Sequence, residues 1–293
     1  MTLPALDDDL ADRQGLDPDF LGVRVPLPRP RDPAVATVLL RYTHFEVLLR
    51  PDRRLAAVTG VGIDGESLRD LDRAGISWRR DPRVAPEEQT DDALYARNDL
   101  DRGHLVRRRA AVWGEDAATA NVDTFFFPNC APQASDFNQG RDLWLGLEDH
   151  LLANAATFDR RLVVLTGPVL AEDDPLYRGV AVPRRFFKVA AFRDAGGLAA
   201  TAYVLDQSPQ LEEVLVPEPG PGEPVAGDEA PPALGPFRTF QVPVPDVAAM
   251  TGLDLDLLAA VDRPPQAPPP PEGDRTPSGW LRLERLEQVR TAR

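Results

Sequence analysis

Apolar and polar positions alternate over several short runs in the first and last thirds of the chain, and a helical period separates them. Val38–Leu49 (VLLRYTHFEVLL) is rich in β-branched, aromatic and aliphatic residues. Arg54–Val61 follows it after the turn-like Arg50-Pro51-Asp52-Arg53, so the pair predicts a hairpin. Leu100–Val106 and Val122–Phe127 (VDTFFF) predict two more short strands. Between them Ala110–Ala120 reads as a loop with one helical turn, and Pro128–Phe137 as irregular. From Gln139 to Ala156 the period changes: Leu143, Leu147 and Leu151 recur every four residues, joined by Trp144 and Leu152, which predicts an amphipathic helix. Arg161–Gly167 predicts a buried strand. Arg185–Phe192 and Leu198–Leu205 predict a second hairpin around Asp194-Ala195-Gly196-Gly197, whose glycines allow positive φ. Phe240–Val244 predicts an edge strand, Asp246–Val261 a helix, and Trp280–Arg290 a short amphipathic tail helix.

The segments outside these elements set the domain organisation. Residues 1–35 are acidic and proline-rich and read as an arm. Gln210–Pro236 reads as a long surface loop, and Pro264–Pro271 as a polyproline-like linker. One domain over residues 36–262 is expected, preceded by the arm and followed by a linker and short helix over 263–293. Hairpins dominate the strand pattern, so the expected fold class is α+β, with a mostly antiparallel central sheet flanked by helices.

Composition narrows the function classes. A hydrophobic content of 43% is ample for a core and excludes global disorder. The formal charge of −14 argues against a protein that coats nucleic acid over its whole surface. The charge is uneven, however: Arg97–Arg109 (RNDLDRGHLVRRR) holds five arginines against two aspartates. A basic site on an acidic body is therefore permitted. The single cysteine, Cys130, excludes an intrachain disulfide and a cysteine-based metal cluster. No apolar run approaches the roughly 20 residues of a membrane span, and the N-terminus lacks the basic start and apolar core of a secretory signal. No membrane partner and a cytoplasmic location are expected.

The chemistry concentrates around His104, one of three histidines. Imidazole is the natural base near neutral pH, and phosphodiester hydrolysis needs a base for water and cations for the phosphorane. Gly103 would let a substrate backbone come close. Asp101 could orient His104 or brace Arg102. Asn138 offers an amide oxygen, a hard ligand suited to Mg²⁺, although asparagine before a helix is more often an N-cap. Glu148 lies ten residues on, about 15 Å along a continuous helix, and suits an outer-shell role through metal-bound water. Arg107, Arg108 and Arg109 could track a phosphate backbone, or form a solvated charge run. His44 and Cys130 read as packing residues, and Phe125–Phe127 as core.

Asp101-Arg102-Gly103-His104, then Asn129-Cys130-Ala131-Pro132-Gln133, then Phe137-Asn138-Gln139-Gly140 and Leu147-Glu148, resemble the DNA/RNA non-specific endonuclease family, which has a ββα-metal active-site motif. The resemblance spans roughly Tyr42–Gln207, with its core motif over 97–156. It implies hydrolysis of DNA and RNA with little sequence specificity, leaving 5′-phosphorylated ends. His104 would be the general base, Asn138 the direct protein ligand of Mg²⁺ (with Mn²⁺ a substitute), and Glu148 would act through metal-bound water. Arg102 would anchor the site or the phosphate, and Asn129 would belong to the substrate-binding set. Trp78-Arg79-Arg80-Asp81-Pro82 resembles the segment that supplies a phosphate-stabilising arginine. The expected arginine aligns near Ile76, which leaves Arg79 or Arg80 as substitutes. Another family arginine, one turn after the helix glutamate, is replaced here by Leu152. Two alternatives stay open: a nucleic-acid-binding protein that has lost catalysis through these altered arginines, and a narrower phosphodiesterase acting on small esters. Control of a self-toxic activity would fall to an inhibitor protein, to signal-independent export or to release on damage.

Overall fold

The computed structural model describes residues 10–135, 160–208, 211, 238–265 and 276–283. Its elements in chain order are β1 (Val38–Tyr42), β2 (Phe45–Arg50), β3 (Leu55–Asp64), α1 (Asp92–Tyr95), β4 (Leu100–His104), α2 (Arg108–Ala111), α3 (Ala117–Asp123), β5 (Cys130–Ala134), β6 (Arg161–Val169), β7 (Leu176–Tyr177), β8 (Val180–Ala181), β9 (Arg185–Asp194), β10 (Gly197–Asp206), β11 (Arg238–Val242), α4 (Val244–Thr251), α5 (Asp256–Ala259) and β12 (Leu281–Arg282). One antiparallel sheet runs in the order β1-β2-β3-β6-β9-β10-β11-β12, and β4 pairs with β5 as a separate two-stranded ribbon. The class is α+β, as expected.

Both faces of the large sheet are covered, so its central strands carry near-continuous apolar runs rather than strict alternation. β3 (LAAVTGVGID) is buried at every position. One face packs Val47, Val61, Val164 and Phe186 against β4–β5 and the loops around them, including Leu105, Phe126, Phe127 and Ala131. The other face packs Leu48, Val163, Leu165, Val189 and Val204 against the N-terminal arm and the α4–α5 pair. The arm therefore lies on the fold from Leu10 onward, burying Leu16, Phe20, Leu21 and Val25. β3 makes room for it with Gly60, where a Cβ would fall 2.8 Å from Leu27 and 3.0 Å from Leu16. At the other end, Asp123 Oδ2 accepts hydrogen bonds from Arg13 Nε, Thr43 N and Thr43 Oγ1 at 2.9, 3.0 and 2.7 Å.

Several sequence expectations shift. The run Val38–Leu49 is two strands, because the chain turns at Thr43-His44 and His44 adopts φ 70°. Val122–Phe127 is not a strand: α3 occupies its start, and Phe125–Phe127 pack as core. The strand that pairs with β4 is instead Cys130–Ala134, inside the stretch expected to be irregular. Proline at position 132 is tolerated there because a two-stranded ribbon has open edges. The expected helix over 246–261 breaks at Gly252, which takes φ 67° and separates α4 from α5. Leu281–Arg282 pairs with β11 as a strand rather than starting a helix, so β11 is not an edge. The expected loop at 210–236, most of the linker, and the helix over 139–156 lie outside the described residues.

A row of polar side chains crosses the face that carries β4–β5. Thr59 faces Thr166, Thr166 faces Lys188, Lys188 faces Tyr203, and Tyr203 faces Gln241 across successive strand pairs. All five are buried. Lys188, the chain's only lysine, donates from Nζ to Thr166 Oγ1 at 3.2 Å, and Thr59 Oγ1 donates to the Thr166 carbonyl at 3.0 Å. Burial pushes the Tyr203 phenol up to about 12.

Candidate active site

His104 closes β4 opposite Cys130. The two-residue period of the strand puts Arg102 and His104 on one face of the ribbon and Asp101 and Gly103 on the other. Asp101 is thus directed away from His104 within the strand, which removes the sequence reading that it orients the histidine. The His104 ring packs between Trp78, with centroids 4.6 Å apart, and the edge of Phe125 at 5.1 Å. Its Nε2 is buried and has no hydrogen-bond partner among the described residues. Burial first, then the charges of Arg108, Arg73 and Arg107, hold its pKa down at about 3. At neutral pH the ring is therefore neutral and carries a free lone pair, the state a base needs.

Backbone contacts fix the position of this ring. The chain leaving β4 is clamped by Asn129: Leu105 N donates to its carbonyl at 2.9 Å and Val106 N to its Oδ1 at 2.9 Å. Its Nδ2 donates to the carbonyls of Val106 and Thr124 at 3.1 and 3.0 Å. Asn129 is fully buried, with its amide spent on backbone, so it positions the strand exit and does not reach substrate as expected. Gly103 is corrected in the same way. A Cβ there would lie 2.1 Å from the Gln133 side chain, so the glycine makes room for Gln133, not for a ligand. Gln133 is itself fully buried, and its amide oxygen and nitrogen have no hydrogen-bond partner among the described residues.

The arginines around the ribbon differ in what they hold. Arg102 donates to Asp92 Oδ1 at 2.5 Å and sits 5.1 Å over the Tyr95 ring, which ties α1 to the ribbon. Arg108 starts α2 and is not on a strand; it donates to the Leu71 carbonyl and, at 3.2 Å, to Asn121 Oδ1. Asn121 Nδ2 in turn holds the Asp72 carbonyl at 2.9 Å. These bonds pin the 71–73 segment beside the ribbon and bring in exposed Arg73, whose charge His104 senses. The two arginines expected to serve the phosphate are engaged elsewhere. Arg79 lies 4.1 Å over the Phe126 ring, and its backbone bonds Phe125 and Phe127. Arg80 pairs with Asp91. Arg73 was missed from sequence because it stands outside the matching motif, and only the fold of the 71–73 segment brings it near. Arg107 stands just before α2, and its charge also acts on His104.

His44 and Cys130 are packing residues. His44 stacks on Trp113 at 3.5 Å and bonds the Ala111 carbonyl through Nδ1 at 2.8 Å. Cys130 is fully buried beside the Tyr95 hydroxyl at 3.5 Å, and burial pushes its thiol up to about 12. Asn138 and Glu148 lie outside the described residues. Among the described residues, no group of three or more His, Cys, Asp or Glu gathers as a metal cage.

The ribbon thus ends in a neutral, half-buried imidazole with cations around it. The model of the DNA/RNA non-specific endonuclease family matches residues 29–263. The chain belongs to the DNA/RNA non-specific endonuclease family. Among curated relatives, an uncharacterized protein, y4fB, of Sinorhizobium fredii (strain NBRC 101917 / NGR234) is 39% identical over 263 residues, covering 82% of this chain and 38% of that protein. Mitochondrial endonuclease G of Homo sapiens is 32% identical over 166 residues, covering 50% of this chain and 54% of its own length. The Bos taurus enzyme is likewise 32% identical, over 171 residues, with 52% and 55% covered. The chain thus spans between about two fifths and just over half of the length of these relatives. A solved structure of an EndoG/EndoGI complex, described as showing the mechanism of EndoG inhibition, superposes with a TM-score of 0.54 at 23% identity, over 73% of this chain and 84% of that one. The shared fold agrees with the endonuclease family assignment.

Proposed function

We propose that this protein is a metal-dependent endonuclease that hydrolyses phosphodiester bonds of DNA and RNA with little sequence specificity. The observation that carries the reading is the neutral His104, whose buried Nε2 has no partner among the described residues and lies among three arginines. His104 takes the proton of the attacking water, and its depressed basicity rises as the phosphate's negative charge offsets the neighbouring arginines. Arg73 and Arg107 stabilise charge on the phosphorane. Arg102 and Asn129 hold the ribbon in register beneath it. A hydrated Mg²⁺ keeps most of its waters and takes few protein ligands. Asn138 is the residue proposed to hold Mg²⁺, with Mn²⁺ as a substitute, and Glu148 to act through its waters. The ion would supply charge stabilisation for the phosphorane and the leaving 3′-oxygen. An inhibitor protein is proposed as a partner, by analogy with the EndoG/EndoGI complex.

The test is cleavage of supercoiled plasmid and structured RNA by wild type and His104→Ala, with Mg²⁺ and with EDTA. Metal-dependent degradation that is lost in the variant supports the proposal. Folded wild type that binds both substrates and cuts neither would put the binding-protein alternative ahead, and unimpaired cutting by His104→Ala would exclude His104 as the base.

A further inference from the structure

A cavity lies on the face of the sheet opposite His104, between the N-terminal arm and the β1–β2 edge. It encloses about 500 Å³. Its lining includes Leu39, Arg41, Glu46 and Leu48 of the sheet. Leu39 pairs with Leu48 and Arg41 with Glu46, so all four share the face on which Leu16 and Leu27 of the arm pack. The arm is fastened beside the space: Gly15 N donates to the Tyr42 carbonyl at 3.0 Å, and Arg13 Nε to Asp123 Oδ2 at 2.9 Å. The cavity is thus a built feature of the fold.

Its floor is apolar and its rim is cationic. Leu16, Leu27, Leu39 and Leu48 line the floor, and Arg13, Arg24, Arg29 and Arg41 line the rim, against one carboxylate, Glu46. Arg13 and Arg24 are offset by Asp123 and Asp19. Arg41 gives its Nε to Glu46 Oε1 at 3.2 Å, while exposed Arg29 has no ion pair among the described residues and acts on the same carboxylate through space. Glu46 cannot swing clear, because it is buried and its Oε1 sits where a Cβ on Gly15 would come within 2.5 Å. Arg13 also pairs with Asp12, so Arg29 is the one rim arginine without an ion pair among the described residues. A volume of this size suits a small ligand, whose polar head is fixed by few groups and whose body is buried on hydrocarbon.

We propose that this cavity binds a compact amphipathic anion: a phosphate or carboxylate head held by Arg29 and the free end of the Arg41 fork, on an aromatic or aliphatic body resting on Leu27, Leu39 and Leu48. Planar guanidinium forks suit such heads. The central sheet separates this site from His104, so a polynucleotide engaged at one cannot fill the other as one straight strand. The proposal stands independently of the nuclease reading.

The probe is phenyl phosphate, titrated by calorimetry into the metal-free protein, with inorganic phosphate and benzoate in parallel. Phenyl phosphate should bind at least about tenfold more tightly than inorganic phosphate, since the body adds apolar contact. Binding should weaken about tenfold or more in Arg29→Ala and persist in His104→Ala. Benzoate binding alongside phenyl phosphate would show that the head is read only as an anion; phenyl phosphate alone would narrow it to phosphate. Arg29 is exposed, so its removal does not threaten folding, and Leu39→Asp provides a second variant that blocks the floor. Unchanged affinity in Arg29→Ala, loss in His104→Ala, equal affinity for inorganic phosphate, or no heat from any probe would each overturn the proposal.

Discussion

The depressed basicity of His104 has a measurable cost in stability. In the unfolded chain the ring titrates near 6.5, whereas in the fold burial and the arginine charges hold it at about 3. Between these values the unfolded chain binds a proton that the folded chain refuses. Stability attributable to His104 is therefore full above about pH 6.5 and falls as the pH drops towards 3. Each pH unit in that window costs about 1.4 kcal/mol per refused proton. From about pH 6.5 to pH 4.5 the loss is close to 3 kcal/mol, or nearer 2 once the ring's partial exposure is discounted. Urea unfolding of wild type and His104→Gln across this range isolates the effect, because the carboxylates and the also-depressed His44 titrate alike in both proteins. The variant should gain on wild type by about 2 kcal/mol on acidification. The ring proton signal of His104 should stay at its neutral position to below about pH 5. A titration midpoint at or above 6.5, or a gap between the two proteins that ignores pH, would refute the electrostatic account of the site.

Three further outcomes are expected. Gly103→Ala pushes a methyl into Gln133, which should cost about 1–3 kcal/mol in thermal unfolding; Gln133→Ala in the same chain should recover part of it, and an unshifted melting temperature would count against the packing role of the glycine. Asp123→Ala leaves the Arg13 guanidinium and Thr43 without their shared acceptor and should cost about 3 kcal/mol, with the arm near residue 13 becoming the first site of limited proteolysis; cleavage elsewhere first would disprove that this contact holds the arm. Arg73→Ala should lower kcat/KM at least tenfold, or about 1.4 kcal/mol, while Arg80→Ala should change it less than about twofold; equal effects would restore the sequence-based choice of Arg80.

The sequence was most legible where two signals agreed. The β9–β10 hairpin combined apolar runs with a glycine-containing turn, and β6 was a short apolar run bounded by polar residues. The first hairpin hid an extra turn because Thr43-His44 carries neither glycine nor proline, and its tight geometry depends on a histidine in a left-handed conformation held by Trp113. Phe125–Phe127 had strand propensity, yet the aromatic rings are worth more packed around Trp78 and His104, so tertiary contact overrode propensity. Cys130–Ala134 was masked by Pro132, which a two-stranded ribbon tolerates. The His104 motif itself could be read directly. What surrounds it could not: Asn129 and Gly103 looked like ligand groups because their types suit ligands, and only their neighbours show that one clamps a strand exit and the other accommodates a side chain. Arg73 reaches the site through hydrogen bonds from Arg108 and Asn121, contacts that spacing along the chain does not encode.

The polar row through Thr59, Thr166, Lys188, Tyr203 and Gln241 has a consequence for how the sheet finds its alignment. Apolar patterning distinguishes the two faces of a strand, but a slide of two residues keeps every side chain on its original face. For strands as uniformly apolar as β6 and β9, hydrophobic burial alone would tolerate such a slide. Lys188 does not. Moved by two, it would lie opposite Val164 or Pro168 in place of Thr166, with its ammonium among hydrocarbon and its threonine acceptor displaced. The row works as a vernier: burial sets the coarse scale of which face points in, and one buried lysine reads off the single alignment among the equivalent ones.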